Sequence, residues 1–133
     1  MRKAYSVLIV IIFMAITNAD KVNAQTTPSS GSGKGLRHVV LFKFKETSSA
    51  EDIAKIEKAF AGLSKTISLI KSFEWGTNNS PENLNQGLTH CFLATFTNEK
   101  DRDAYLIHPK HVEFTKIAGP HIDKVTVVDY WVK

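Results

Sequence analysis

The sequence predicts an α+β fold in the order β-α-β-β-α-(α)-β, a four-stranded antiparallel sheet with its helices on one face. Three observations predict it. Four short runs are rich in Val, Ile, Phe, Tyr and Trp, the residues that suit a pleated, half-buried surface. Between them lie stretches with helical apolar spacing, each preceded by a Ser or Asn able to cap a helix. Finally, residues 36–133 amount to about 98 positions, enough for one real core and small enough that oligomerisation would help.

The chain opens with a segment of different character. Arg2 and Lys3 precede an apolar run from Val7 to Ile16, and a short polar stretch ends in Val22-Asn23-Ala24. A charged start, a ten-residue apolar run and a small-residue exit form the arrangement of a secretory signal peptide over residues 1–24. Ten residues rise only about 15 Å as a helix, roughly half a hydrocarbon core, so a membrane span is not expected. The expected mature product starts at Gln25 and is exported, periplasmic or secreted, with no membrane contact after cleavage. Residues 25–35 (QTTPSSGSGKG) hold no large apolar side chain and read as a flexible leader.

In the domain proper, Leu36–Lys45 is the first strand, with His38, Val40, Phe42 and Phe44 on one face and Val39, Leu41, Lys43 and Lys45 on the other. Ser48 or Ser49 can cap the first helix, answered by Glu51 or Asp52. Ile53, Ile56, Phe60 and Leu63 then form one apolar stripe, and Gly62 lies near the expected end. Ile67–Trp75 is the second strand, closed by Gly76, and 77–87 (TNNSPENLNQG) is a surface loop. Leu88–Phe96 is the third strand, with Leu88, His90, Phe92 and Ala94 on one face. Asn98 can cap the second helix, Pro109 ends or kinks it near His108, and a further helical segment runs to Ala118 before Gly119-Pro120. Lys124–Val132 is the fourth strand.

This order suits the ferredoxin-like arrangement, which leaves one sheet face bare of helices. Val39, Leu41, Cys91, Leu93, Thr126 and Val128 are the candidates to line that face. A bare apolar sheet in a small domain usually finds a partner, and two of them face to face make a dimeric α/β barrel.

Composition excludes several functions. There are 17 Lys and Arg against 13 Asp and Glu; without residues 1–24, 14 basic and 12 acidic residues remain. That balance calls for neither nucleic acid nor an anionic membrane surface. A single cysteine excludes an intramolecular disulfide and a cysteine-based zinc site, and Cys91 reads as buried filler. No glycine-rich phosphate loop and no Gly-x-Ser-x-Gly turn occurs.

The chemistry therefore rests on the histidines: His38, His90, His108, His111 and His121. His38 and His90 fall on the helix-facing side of strands beside Val40, Phe42 and Phe92. His108 and His111 are three apart around Pro109, one turn after Tyr105. One reading has some of them converging on a small apolar pocket between sheet and helices, which is a default ligand site. The competing readings are hydrogen-bonded strand filler for His38 and His90, and a favourable charge at a helix C-terminus for His108. A metal pair at His108 and His111 needs a third ligand; His90, His38 or a carboxylate could supply it, but the spacing does not select one, so no metal is expected.

Three segments, RHVVLFKFK, FEWG and GLTHCFLATFTNEKDRDAYLIHPKHVEF, together resemble the stress-responsive dimeric α/β-barrel (Dabb) family over residues 36–133. The string His108-Pro109-Lys110-His111 after Ala-Tyr-Leu-Ile is the most specific part. The resemblance implies a ferredoxin-like monomer that pairs through its sheets into a barrel. It groups the chain with plant stress proteins, some of which form larger rings, and with a polyketide cyclase that works without metal or organic cofactor. By motif it puts the base on His111 and its assisting hydroxyl on Tyr105, with His38 and His90 as pocket histidines. Where the cyclase carries a pocket tyrosine this chain has Phe60, which cannot hydrogen-bond. Three functions follow as expectations. The first is an exported homodimer holding a small molecule in an apolar pocket of His38, Val40, Phe42, Phe60, His90, Phe92 and His108. The second is a cofactor-free cyclase or lyase acting on a small carbonyl or aromatic compound through His111 and Tyr105. The third is a structural ring assembly.

Overall fold

The computed structural model describes residues 35–133; the expected signal peptide, and the leader but for Gly35, lie outside the described residues. The strands are β1 (Leu36–Phe44), β2 (Ser72–Thr77), β3 (His90–Phe96) and β4 (Ile122–Trp131). The helices are α1 (Ala50–Thr66), α2 (Glu99–Leu106) and α3 (Pro109–Ala118). The sheet has the order β2-β3-β1-β4, antiparallel throughout, which is the ferredoxin-like fold.

Local chemistry explains the helix starts. Ser49 caps α1 in a reciprocal box with Asp52, its hydroxyl accepting from the Asp52 amide while the Asp52 carboxylate accepts from the Ser49 amide. Asn98 caps α2 through the Asp101 amide. Pro109 at the first turn of α3 lacks an N–H that would have had no partner there.

Four boundaries stand out against the periodicity reading. Helix α1 continues through Gly62 to Thr66, and the expected strand from Ile67 begins only at Ser72. Ile67 ends the helix and Ile70 donates its amide to the Ile67 carbonyl in a tight turn. Both side chains are buried, so their apolarity serves the core beneath a turn rather than a strand face. Strand β3 starts at His90, two residues late, and β4 at Ile122, two residues early, straight out of the 3-10 turn Gly119–His121.

The register separates the two sheet faces. Val39 lies opposite Leu93 and Val128, and Leu41 opposite Cys91 and Thr126, so these six residues share the bare face. Cys91 is exposed in the single chain rather than buried filler. On the other face Val40 lies opposite Phe92 and Val127, and His38 opposite Ala94 and Asp129. An aromatic cluster forms the centre of the core: Phe60 lies 4.4 Å from Phe92, 4.5 Å from Phe114 and 5.4 Å from Phe73, ring centre to ring centre.

Coverage of this face is uneven, and that positions the site. Helix α1 packs on α3 and β2, α2 on α3 and β3, while β4 makes its extensive contacts with β1. Val125 and Val127 point to the helix side yet remain about half exposed, 53% and 51%. A trough is left between α3 and the edge strand.

Candidate active site

That trough is a cleft of about 560 Å³, within the size range of small-molecule pockets. Its floor is the helix-facing side of β1 and β4, with His38, Val40, Phe42, Val125, Val127 and Asp129; α1 adds Phe60, and His111 and Phe114 of α3 form the opposite wall. The lining is mostly apolar; its polar members are His38, His111, Asp129, Asp123 and Thr115. A second depression of about 520 Å³ lies on the bare face, between Leu41, Cys91 and Thr126 and the 78–89 loop. His90, Cys91 and Lys124 also line it, but both ring nitrogens of His90 are engaged by Glu57 and Thr89.

The tautomer of His111 follows from its partner. Its Nδ1 lies 2.9 Å from the Leu106 carbonyl oxygen. A carbonyl only accepts, so Nδ1 carries the proton and Nε2 keeps its lone pair in the neutral ring. Burial pushes the His111 pKa below its ordinary value, and the nearby His38 and His108 push the same way; the Leu106 hydrogen bond opposes them. The ring is therefore neutral at pH 7 and carries a free basic nitrogen.

His38 is buried, and its Nδ1 lies 2.6 Å from Asp129 Oδ1. Tyr105 is fully buried behind these two rings, 4.4 Å from His111 and 5.9 Å from His38 between ring centres. Its hydroxyl has no hydrogen-bond partner among the described residues, and burial pushes its pKa up, so it remains a protonated donor.

The expected pocket residues divide. His38, Val40, Phe42 and Phe60 line the cleft together with His111, and Tyr105 packs behind it. His90, Phe92 and His108 lie outside it. His90 Nε2 is 2.9 Å from Glu57 Oε1 and its Nδ1 2.8 Å from Thr89 Oγ1, so both nitrogens are engaged, and the Glu57 contact ties β3 to α1. Trp75 stacks on the same ring. Phe92 is wholly enclosed by the aromatic cluster. His108 caps α3, its Nδ1 accepting from the Lys110 amide at 3.2 Å; it closes a helix start rather than charging a helix end. Among the described residues no three His, Cys, Asp or Glu side chains are placed to hold a metal ion.

Sequence reasoning missed Asp129. The signal was present, since alternation along VTVVDYW puts a lone carboxylate on the face of Val125 and Val127. It also missed Leu106, whose contribution is its backbone carbonyl.

Comparison with known proteins adds the following. The sequence profile of the stress responsive A/B barrel domain matches residues 36–132. The stress-response A/B barrel domain-containing protein HS1 of Arabidopsis thaliana is 43% identical over 95 residues, 71% of this chain and 87% of that protein. Olivetolic acid cyclase of Cannabis sativa is 27% identical over 95 residues, 71% of this chain and 94% of the cyclase. Among solved structures, a hydroxynitrile lyase from Passiflora edulis superposes with a TM-score of 0.72 at 27% identity, covering 76% of this chain and 95% of the lyase. A dimeric protein of ferredoxin-like fold and unknown function from Bacteroides fragilis superposes with a TM-score of 0.61 at 27% identity, covering 74% of this chain and 97% of that one.

Proposed function

Because the chain belongs to the stress-responsive A/B barrel domain family, which includes a cyclase and a lyase, we propose that it binds a small, largely apolar carbonyl or aromatic compound in the α3–β4 cleft and moves a proton on it through His111. The observation that carries this reading is the Leu106 carbonyl on His111 Nδ1, which leaves Nε2 as a base on an apolar wall. Such a nitrogen can take a proton from carbon alpha to a carbonyl, or from the hydroxyl of a cyanohydrin. The imidazolium that results is disfavoured by the same burial that lowers its pKa, so it returns the proton readily. Tyr105 packs on the His111 ring from behind the cleft, and in this reading its unpartnered hydroxyl is the donor that a ligand entering the cleft would draw on. Phe60 makes the inner end of the cleft apolar and without hydrogen-bonding capacity.

The test uses the full chain and His111→Ala with a set of aromatic ketones and cyanohydrins, following binding by tryptophan fluorescence and conversion by chromatography. Retained binding with lost conversion in the variant supports the reading. Conversion unaffected by the substitution, or no binding by either protein, overturns it.

Dimeric relatives support a homodimer. Its interface, in this reading, is the bare face of Val39, Leu41, Cys91, Leu93, Thr126 and Val128. Residues 1–24 act as an export signal, and the product is periplasmic or secreted. N-terminal sequencing of the protein recovered outside the cytoplasm checks this: a start at Gln25 supports it, and an intact Met1 refutes it.

A further inference from the structure

An ionic arrangement runs from α2 to the floor of the cleft and takes no part in the reading above. Asp129 on β4 presents Oδ1 to His38 Nδ1 at 2.6 Å, and its Oδ2 is hydrogen-bonded and ion-paired to Arg102 Nη1 on α2. The Arg102 Nε donates to Asp103 Oδ1 at 2.7 Å, so the guanidinium holds one carboxylate from each side. The Asp103 side chain is 66% exposed, Arg102 19%, Asp129 24% and His38 6%, so the line joins a surface carboxylate to a buried ring.

Asp129 lies on the edge strand β4 between Val128 and Tyr130, both about half exposed, with no further strand on its outer side. Arg102 constrains its carboxylate. With Oδ2 committed to the guanidinium, Oδ1 stays aimed at His38. A carboxylate only accepts, so the His38 proton must be on Nδ1. The other titratable groups facing His38 are Tyr105 from α2 and His111 from α3; Phe96 of β3 packs on its edge.

We infer that Arg102 is a positioning residue for the cleft: by holding Asp129 it locks His38 in the Nδ1-protonated tautomer and leaves Nε2 as an acceptor for a ligand hydroxyl or enol. This deepens the reading of the cleft as the ligand site and rests on it. It adds that the ligand carries a hydrogen-bond donor near its carbonyl, matched to His38 as its reacting proton is to His111.

The experiment reads His38 directly, with no ligand. The full chain is labelled with 15N-histidine, long-range proton–nitrogen correlations are recorded at neutral pH, and His38 is assigned by the loss of its signals in His38→Gln. The wild type is expected to show a protonated Nδ1 and a bare Nε2. Arg102→Met is expected to shift both nitrogens toward mixed tautomers, while Asp103→Asn leaves them in place. Backbone amide spectra establish that each variant is folded. If Arg102→Met does not fold, Arg102→Lys, which keeps the charge and loses the fork, is expected to shift them in the same direction. A wild-type proton on Nε2, or unchanged nitrogens in a folded Arg102 variant, overturns the inference. That failure would leave the cleft reading standing, because the latter is decided by binding and conversion in His111→Ala.

Discussion

Replacing Tyr105 with Phe removes one oxygen and should make the protein more stable while impairing its chemistry. The ring is fully buried, and its centre lies 5.0 Å from Phe96 and 4.4 Å from His111. Phe keeps all of that apolar contact. What it loses is a hydroxyl without a partner among the described residues. A buried hydroxyl left unpaired costs about 1–3 kcal/mol relative to its hydrated state in the unfolded chain. The variant should therefore gain about 1–2 kcal/mol. For a domain of this size that raises the melting temperature by about 4–8 °C per kcal/mol. In urea the midpoint should rise by about 0.5–1 M at unchanged slope. Both proteins are compared at one concentration, because the proposed dimerisation would couple to stability. Conversion of any ligand the wild type turns over should fall, since the donor is gone. A variant no more stable than wild type would refute the reasoning, for it would mean that the hydroxyl is satisfied in solution and is not held available for a ligand.

Four further outcomes are expected. Glu57→Ala leaves buried His90 without its Nε2 partner and should cost about 1–3 kcal/mol in urea unfolding, with ligand binding unchanged because His90 is outside the cleft. Since the folded pKa of His111 lies below its ordinary 6.5, its contribution is fully present above that value and is lost as pH falls through the folded pKa. Acid should therefore lower the urea midpoint of the wild type more than that of His111→Gln, and equal sensitivity would count against the burial effect. Gly62 lies inside α1 with open space where a Cβ would go, so Gly62→Ala should stabilise by about 0.5–1 kcal/mol by thermal melting. Leu93→Glu places a charge on the bare face opposite Val39 and should halve the mass measured by light scattering. An unchanged dimer would move the interface elsewhere, and a wild-type particle much larger than a dimer would favour ring assembly.

The fold was legible because its signals are local. Strand alternation correctly separated Val39 and Leu41 from Val40 and Phe42, and Ser49, Asn98 and Pro109 marked helix starts through bonds made within a few residues. Where a local signal was ambiguous, the reading slipped. Ile67 and Ile70 looked like strand because periodicity records burial and not the backbone that achieves it.

The site divides along the same line. The sequence by itself determined which side chains face the helices, hence the candidacy of His38, Phe42 and His90, and it brought Tyr105 and His111 within two helical turns of each other. Only tertiary structure decided which of them share a cavity. His38 and His90 lie on the same face of neighbouring strands, yet Glu57 captures one and the α3–β4 trough receives the other. His111 became a base because Leu106 spends a carbonyl on it, and His38 acquired its acceptor because Asp129 arrives from 91 residues away with Arg102 behind it. Such pairings depend on how unevenly the helices cover the sheet, a property of packed volumes that residue spacing does not encode.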